Sequence, residues 1–364
     1  MVAQSLPAKK WRSEKEFPLE NGQILPELEI AYETWGELSE RGDNVVVILH
    51  ALSGSSHAFS SAENPEAGWW EELYGEESPL RVGGYHVICA NIVGGCYGTT
   101  GPTSLDPGTG APYAVSFPQV TLRDMIEAQR LLLDGLGIDQ PVTLLGGSMG
   151  GMLILHWMQD HPRQVDRAIC LATPPRSESF TIALRSIQRD AILSDPRYAG
   201  GLYDENSFPE VGLALARKIA MITYRSPEEF NERFGRDVKD PRPHFLEGLY
   251  QVQSYLDHQG KKFVVRFDPN TYLYFSRAMD LFDIAAGHDS VAAAFSGCET
   301  RVLLLSIDSD FLVPIPHMKE LHAALTEAGL EVERQLMESR YGHDAFLLET
   351  GQINQHLGNF LQSG

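Results

Sequence analysis

The stretch Leu144-Leu145-Gly146-Gly147-Ser148-Met149-Gly150-Gly151 sets four glycines around one serine, directly after an apolar run. Residues 146–150 fit Gly-x-Ser-x-Gly, the pattern of a sharp strand-to-helix turn that lifts a serine clear of a sheet. Small flanking residues let neighbouring backbone pass close to such a turn, and the positive end of the following helix favours a developing oxyanion. A serine hydroxyl is a weak nucleophile at neutral pH. Ser148 therefore requires a base within reach, and the base requires an acid to hold its tautomer. Without these partners the stretch is no more than a glycine-rich turn.

On a strand-helix architecture with this turn, the chain order is Ser, then Asp or Glu after a late strand, then His after the last strand. The run Leu303–Pro314, "LLLSIDSDFLVP", supplies Asp308 and Asp310, of which position favours Asp310 without excluding Asp308. "ESRYGHDAF" supplies His343. Gly-His-Asp occurs a second time at Gly287-His288-Asp289, but His288 precedes the candidate acids and falls in a helical stretch, so chain order disfavours it. His156 lies eight helical residues from Ser148, about 12 Å along the axis, and reads as a core histidine. The oxyanion needs two donors: the Met149 N–H, directly after the nucleophile, and one from the early loop His50–His57, where Leu52 is nominated. His50 and His57 have no local carboxylate partner and no His-Glu-x-x-His motif accompanies them, so no metal is expected. The glycine-rich loop Asn91–Ser104 lacks the Gly-Lys-Ser/Thr of a phosphate cradle and reads as a pocket wall, and Cys96 within it has no nucleophile turn around it.

Strands are predicted at Leu28–Gly36, Val45–His50, Tyr85–Ile92, Val142–Leu145 and Ala168–Thr173. Between them run two helices, one capped by Thr121 and closing at Gly137, the other from about Met149 to Gln159. This alternation implies an α/β fold with a mostly parallel, doubly wound sheet, whose ligands bind beyond the carboxyl ends of the strands. From Arg176 to Gly297 strand signals mostly vanish and helical periods dominate, including Val211–Tyr224 and Phe245–Gln259. The sheet resumes with Val302–Ile307, a helix at His317–Gly329 and Glu331–Glu338. The expected organisation is a core domain of residues 1–175 and 298–364 with an inserted helical lid, 176–297.

With 364 residues, 43% of them hydrophobic, the chain can bury a large core. Its formal charge of −20 repels nucleic acid and anionic membranes on average. The four cysteines are scattered without Cys-x-x-Cys spacing, and no signal-peptide core or run of about 18 apolar residues occurs. A cytoplasmic protein without a membrane span is expected.

Taken together, "HALSGSSH", "NIVGGCYGTTGPTS", "FPQVTLRDMIEAQ", "LLGGSMGGM", "GLALARKIAMITY", "SDFLVP" and "YGHDAFL" resemble, in order, the homoserine O-acetyltransferase family of α/β-hydrolase-fold acyltransferases. The resemblance covers nearly the whole chain. It implies that Ser148 carries the acyl group, that His343 is general base and acid, and that Asp310 is the acid of the triad. It further implies that Arg217 and Tyr224, seven residues apart on one helix, contact the acceptor, with Arg217 holding its carboxylate and Asp344 its ammonium. Acetyl-CoA as co-substrate, L-homoserine as acceptor, no cofactor and a homodimer formed through the lid follow from the same resemblance. One departure is Leu153-Ile154-Leu155-His156-Trp157 where the family often has a Gln, for which altered packing behind the nucleophile is expected. A triad alone does not choose transfer over hydrolysis, so an esterase or thioesterase remains open, as do a serine acceptor and a succinyl-CoA donor.

Overall fold

Residues 8–239 and 250–362 are described by a computed structural model. In chain order the strands are β1 (Lys9–Arg12), β2 (Phe17–Pro18), β3 (Ile24–Leu25), β4 (Glu29–Trp35), β5 (Val45–Leu49), β6 (His86–Ala90), β7 (Val142–Gly147), β8 (Val165–Leu171), β9 (Arg301–Ile307) and β10 (Val332–Met337). Eight of them form one sheet in the order β1-β4-β6-β5-β7-β8-β9-β10, while β2 and β3 make a separate hairpin. From β6 to β10 every pairing is parallel, and β4 and β1 are added antiparallel at one edge.

The apolar run of β5 explains its place at the centre. Val45, Val47 and Leu49 enter the apolar cluster on one face, while Val46 and Ile48 enter that on the other, as a strand covered on both sides requires. The chain steps from β5 to β6 on one side and then returns to β7 on the other. That reversal opens a crevice beyond the carboxyl ends of β5 and β7, the place where doubly wound sheets bind ligands.

The helices that cover the sheet begin with α1 (Pro79–Val82), α2 (Leu122–Gly135) and α3 (Met149–Asp160). Thr121 caps α2 reciprocally: its hydroxyl accepts from the Asp124 N–H at 3.2 Å and the Asp124 carboxylate accepts from the Thr121 N–H at 2.8 Å. At the start of α3, a Cβ on Gly150 would stand 2.0 Å from the Leu49 carbonyl oxygen, so the helix seats directly on the end of β5. Gly150→Ala is expected to destabilise the fold by about 1–3 kcal/mol, read as a lower urea midpoint. An unchanged midpoint would contradict this close approach.

Between β8 and β9 lie α4 (Ser179–Leu193), α5 (Glu210–Tyr224), α6 (Pro227–Phe234), α7 (Gln251–Val264) and α8 (Pro269–Asp280), with no strand of the sheet among the described residues. Arg176 and Asp283 pair as an isolated bridge where the chain enters and leaves this helical layer. Of the helical stretch expected at Phe245–Gln259, residues 245–249 lie outside the described residues. Its helix runs beyond Gln259 to Val264, because Gly260 sits close against Ala214 of α5 instead of breaking the helix. The chain closes with α9 (Ile315–Glu327), a single turn at Gly342–Asp344, α10 (Ala345–Leu348) and α11 (Thr350–Gln362). Ile353, Leu357 and Phe360 of α11 are fully buried against one face of the sheet.

Candidate active site

Ser148 adopts φ +54° and ψ −119°, a conformation that non-glycine residues rarely hold. The turn is fixed from both sides. The Ser148 N–H donates to the Leu171 carbonyl at 3.0 Å, and the Ser148 carbonyl accepts from Met152 N at 3.0 Å, the first bond of α3. Gly147 is small for a local reason: a Cβ there would lie 2.6 Å from the Phe346 ring. Met149, the first residue of α3, has an N–H with no acceptor one turn back, as at every helix start. The Leu52 N–H, on the loop after β5, has no protein acceptor among the described residues.

The two aspartates after β9 are in different surroundings. Asp310 is buried, and its Oδ2 lies 2.6 Å from His343 Nδ1. Its Oδ1 accepts from the N–H groups of Leu312 at 2.8 Å and Val313 at 3.0 Å, so the carboxylate is aimed by its own loop. Asp308 is exposed and accepts from Ser339 N instead. With Nδ1 held by Asp310, Nε2 is the His343 nitrogen left to move protons. Burial opposes charging of this imidazole, but the charge and hydrogen bond of Asp310, with the charge of Asp344, outweigh it and raise its pKa above 6.5. His288 is exposed. His156 is buried against the edge of Phe282, with Nδ1 3.2 Å from Gln159, and burial pushes its pKa down to about 4.

Ser148, His343, Leu52, Arg217, Tyr224 and Asp344 all line one cavity of about 130 Å³ between the carboxyl end of the sheet and helices α4 and α5. A larger, outer chamber of about 840 Å³ shares Arg217 and Ser53 with it and carries Lys262 and Arg266. Arg217 is turned inward and not toward bulk solvent: its guanidinium lies 4.9 Å from the Phe263 ring centre and 5.8 Å from that of Tyr224. Burial raises the pKa of the Tyr224 phenol, with Arg217 opposing.

Asp344 is not a surface carboxylate. Its side chain is only 13% exposed, and its Oδ2 accepts from Arg225 Nε at 2.8 Å. Burial raises its pKa, against the pull of Arg225 and Arg217. Arg225 carries no motif or periodic signal, and only its place after Tyr224 could have drawn notice. Its neighbour Ser226 donates from its hydroxyl to the Arg340 carbonyl, so the end of α5 rests on the loop that bears His343. Arg185 and Gln188 of α4 also line the cavity, and no motif in the sequence marks either.

His57 finds its carboxylate partner outside its own loop: Glu33, from β4, lies 2.9 Å from Nδ1. Strand pairing brings it there, which no local motif reveals. His50 is buried, accepts from Ile92 N at Nε2 and faces the Ala51 carbonyl through Nδ1, and burial pushes its pKa down to about 4. It ties the Leu52 loop to the end of β6. No group of three or more His, Cys, Asp or Glu among the described residues could hold a metal ion. Leu153, Ile154, Leu155 and Trp157 of α3 are wholly buried, which is where the departure from the family pattern falls.

The profile described as the alpha/beta hydrolase fold matches residues 44–350, and the chain is an α/β-hydrolase-fold enzyme. It is 44% identical to the homoserine O-acetyltransferase of Moorella thermoacetica over 94% of this chain and 93% of that one. The crystal structure of homoserine O-acetyltransferase from Bacillus anthracis superposes with a TM-score of 0.89 at 29% identity, covering 98% of each chain. An acetylester hydrolase from Corynebacterium glutamicum, at 21% identity and a TM-score of 0.82 over the full length of both chains, shares the fold. The chain belongs to the homoserine O-acetyltransferase family.

Proposed function

We propose that the protein moves an acetyl group from acetyl-CoA to the side-chain hydroxyl of L-homoserine through an acetyl-serine intermediate. The observation that carries this reading is the Asp310–His343 pair, 2.6 Å apart, opening on the same cavity as the strained Ser148. His343 takes the proton of Ser148 as Oγ attacks the thioester carbonyl, and the negative oxygen is met by the Leu52 and Met149 N–H groups. The C–S bond breaks and the thiol leaves with that proton. The homoserine hydroxyl then gives its own proton to His343 and attacks the acetyl ester, which regenerates Ser148 as the proton returns. Arg217 holds the acceptor carboxylate and Asp344 its ammonium, while Tyr224 packs beside both. The outer chamber with Lys262 and Arg266 suits the long anionic arm of the donor. No cofactor takes part.

Transfer must outrun water at about 55 M, which requires an acceptor far better positioned than solvent. The helical segment 176–297 serves as the lid that provides this, since α4 and α5 roof the cavity. Acetyl-CoA consumption is therefore expected to accelerate at least about 100-fold when homoserine is added. Equal rates with and without homoserine would make the protein a thioesterase. Serine as acceptor and succinyl-CoA as donor belong in the same assay, as the competing substrates.

The lid also supports a homodimer: Ile187, Val211, Leu215 and Ile222 of α4 and α5 are exposed apolar side chains, and sedimentation of the purified chain reads the association. Four free, buried cysteines fit a reducing, cytoplasmic setting, and no helix among the described residues is long and apolar enough to cross a membrane. Localisation of a tagged chain tests it.

A further inference from the structure

Arg185 and Arg189 stand one turn apart on α4 and meet Asp280 at the end of α8. Arg185 Nε lies 2.6 Å from Asp280 Oδ1, and Arg189 Nη2 lies 2.6 Å from Asp280 Oδ2. The three side chains are only 11%, 15% and 3% exposed, so two largely buried cations share one carboxylate. Arg277, 3.9 Å from the same carboxylate, adds positive charge. An uncompensated buried charge is costly unless an anionic partner completes it.

The open position is on Arg185. Its Nη2 donates to Ser177 Oγ at 2.8 Å and reaches Thr181 Oγ1 at 3.5 Å, while Nη1 has no protein acceptor among the described residues. This side chain lines the same cavity as Ser148 and Arg217, and its charge acts on the Tyr224 phenol there. Asp280 and Ser177 fix the guanidinium plane, and so preorganise its remaining edge.

We propose that Arg185 is a second carboxylate-binding residue of the acyl cavity, held in place by Asp280 and completed by a carboxylate of the substrate. The proposal rests on the acetyl-transfer reading above. That carboxylate has two sources: the acceptor, shared with Arg217, or the far end of a dicarboxylic acyl chain on the donor.

Arg185→Gln and Arg185→Lys, in the full chain, separate the possibilities when assayed with acetyl-CoA and succinyl-CoA against homoserine and homoserine amide. If the acceptor supplies the carboxylate, Arg185→Gln raises the homoserine KM about ten-fold or more with kcat little changed. Lysine then recovers part of the loss, and the amide binds both enzymes alike. If the donor supplies it, the unaltered protein turns over succinyl-CoA, Arg185→Gln loses that activity selectively and acetyl transfer is unaffected. A homoserine KM that does not move, together with identical treatment of succinyl-CoA, overturns the proposal. Should the glutamine variant melt early, Arg185→Lys alone decides, because lysine keeps the charge but gives up the fixed planar edge and should still shift the same KM or succinyl rate several-fold. Acetyl labelling of the unaltered protein without acceptor reports separately on Ser148. If labelling is present while Arg185→Gln changes nothing, only the Arg185 assignment falls.

Discussion

Ser148→Ala is expected to abolish formation of an acetyl adduct and to lower kcat on the order of 10⁶-fold, by precedent with other serine triads. The argument starts from the backbone. A non-glycine residue held at φ +54° stores strain that the surrounding packing must sustain, and here the Leu171 and Met152 bonds and the Phe346 ring do so. Those restraints act on main chain and on Gly147, not on the Ser148 hydroxyl. Alanine therefore keeps the turn, and circular dichroism and the melting temperature should stay close to those of the parent. Intact-mass spectrometry after mixing with acetyl-CoA gives the direct reading, with one added acetyl group on the parent chain and none on the variant. A variant that still acquires the adduct, or retains its rate, would remove Ser148 from the mechanism.

Asp310→Asn is expected to lower kcat about 10⁴-fold with the fold intact. Asparagine can still accept from Leu312 and Val313, but it presents no charge to His343 Nδ1. The pH profile makes the test specific. The base must be neutral to accept the proton of Ser148, so kcat/KM should rise with pH through a limb above 6.5, because the imidazole pKa is raised. Burial lowers that pKa while the Asp310 charge and hydrogen bond raise it, so in Asp310→Asn the limb should move to lower pH as the rate falls. A limb that stays in place would mean that another group sets the profile. Asp308→Asn serves as the control, since Asp308 is exposed and bonded to Ser339, and should leave both rate and limb near the parent values.

The parts of the site that were legible are those whose chemistry is local. The Ser148 turn announces itself because a strained strand-to-helix junction demands small residues at fixed offsets, and β5 because a doubly covered strand is apolar at every position. The α2 cap at Thr121 is likewise written in adjacent residues. Position favoured Asp310 but did not exclude Asp308, since the choice lies in which carboxylate the loop turns inward. Arg225 on Asp344, Glu33 on His57 and Arg185 on Asp280 were invisible for a common reason: each pair is joined by packing between elements far apart in the chain. The edge strand β1, Lys-Lys-Trp-Arg, has no strand signature at all and forms because β4 offers it a free row of backbone partners. The helix α11, by contrast, carries Ile353, Leu357 and Phe360 at plain helical spacing.

The contact of Ser226 with the Arg340 carbonyl, beside the Arg225–Asp344 ion pair, fastens the roof of the cavity to the loop that carries the imidazole. On the proposed mechanism, doorway and proton carrier are thus one mechanical piece. Evolution, or an engineer, that widens the entrance for a bulkier guest by shifting α5 will detune the base in the same stroke, so new acceptors are more readily gained by trimming side chains than by moving the helix.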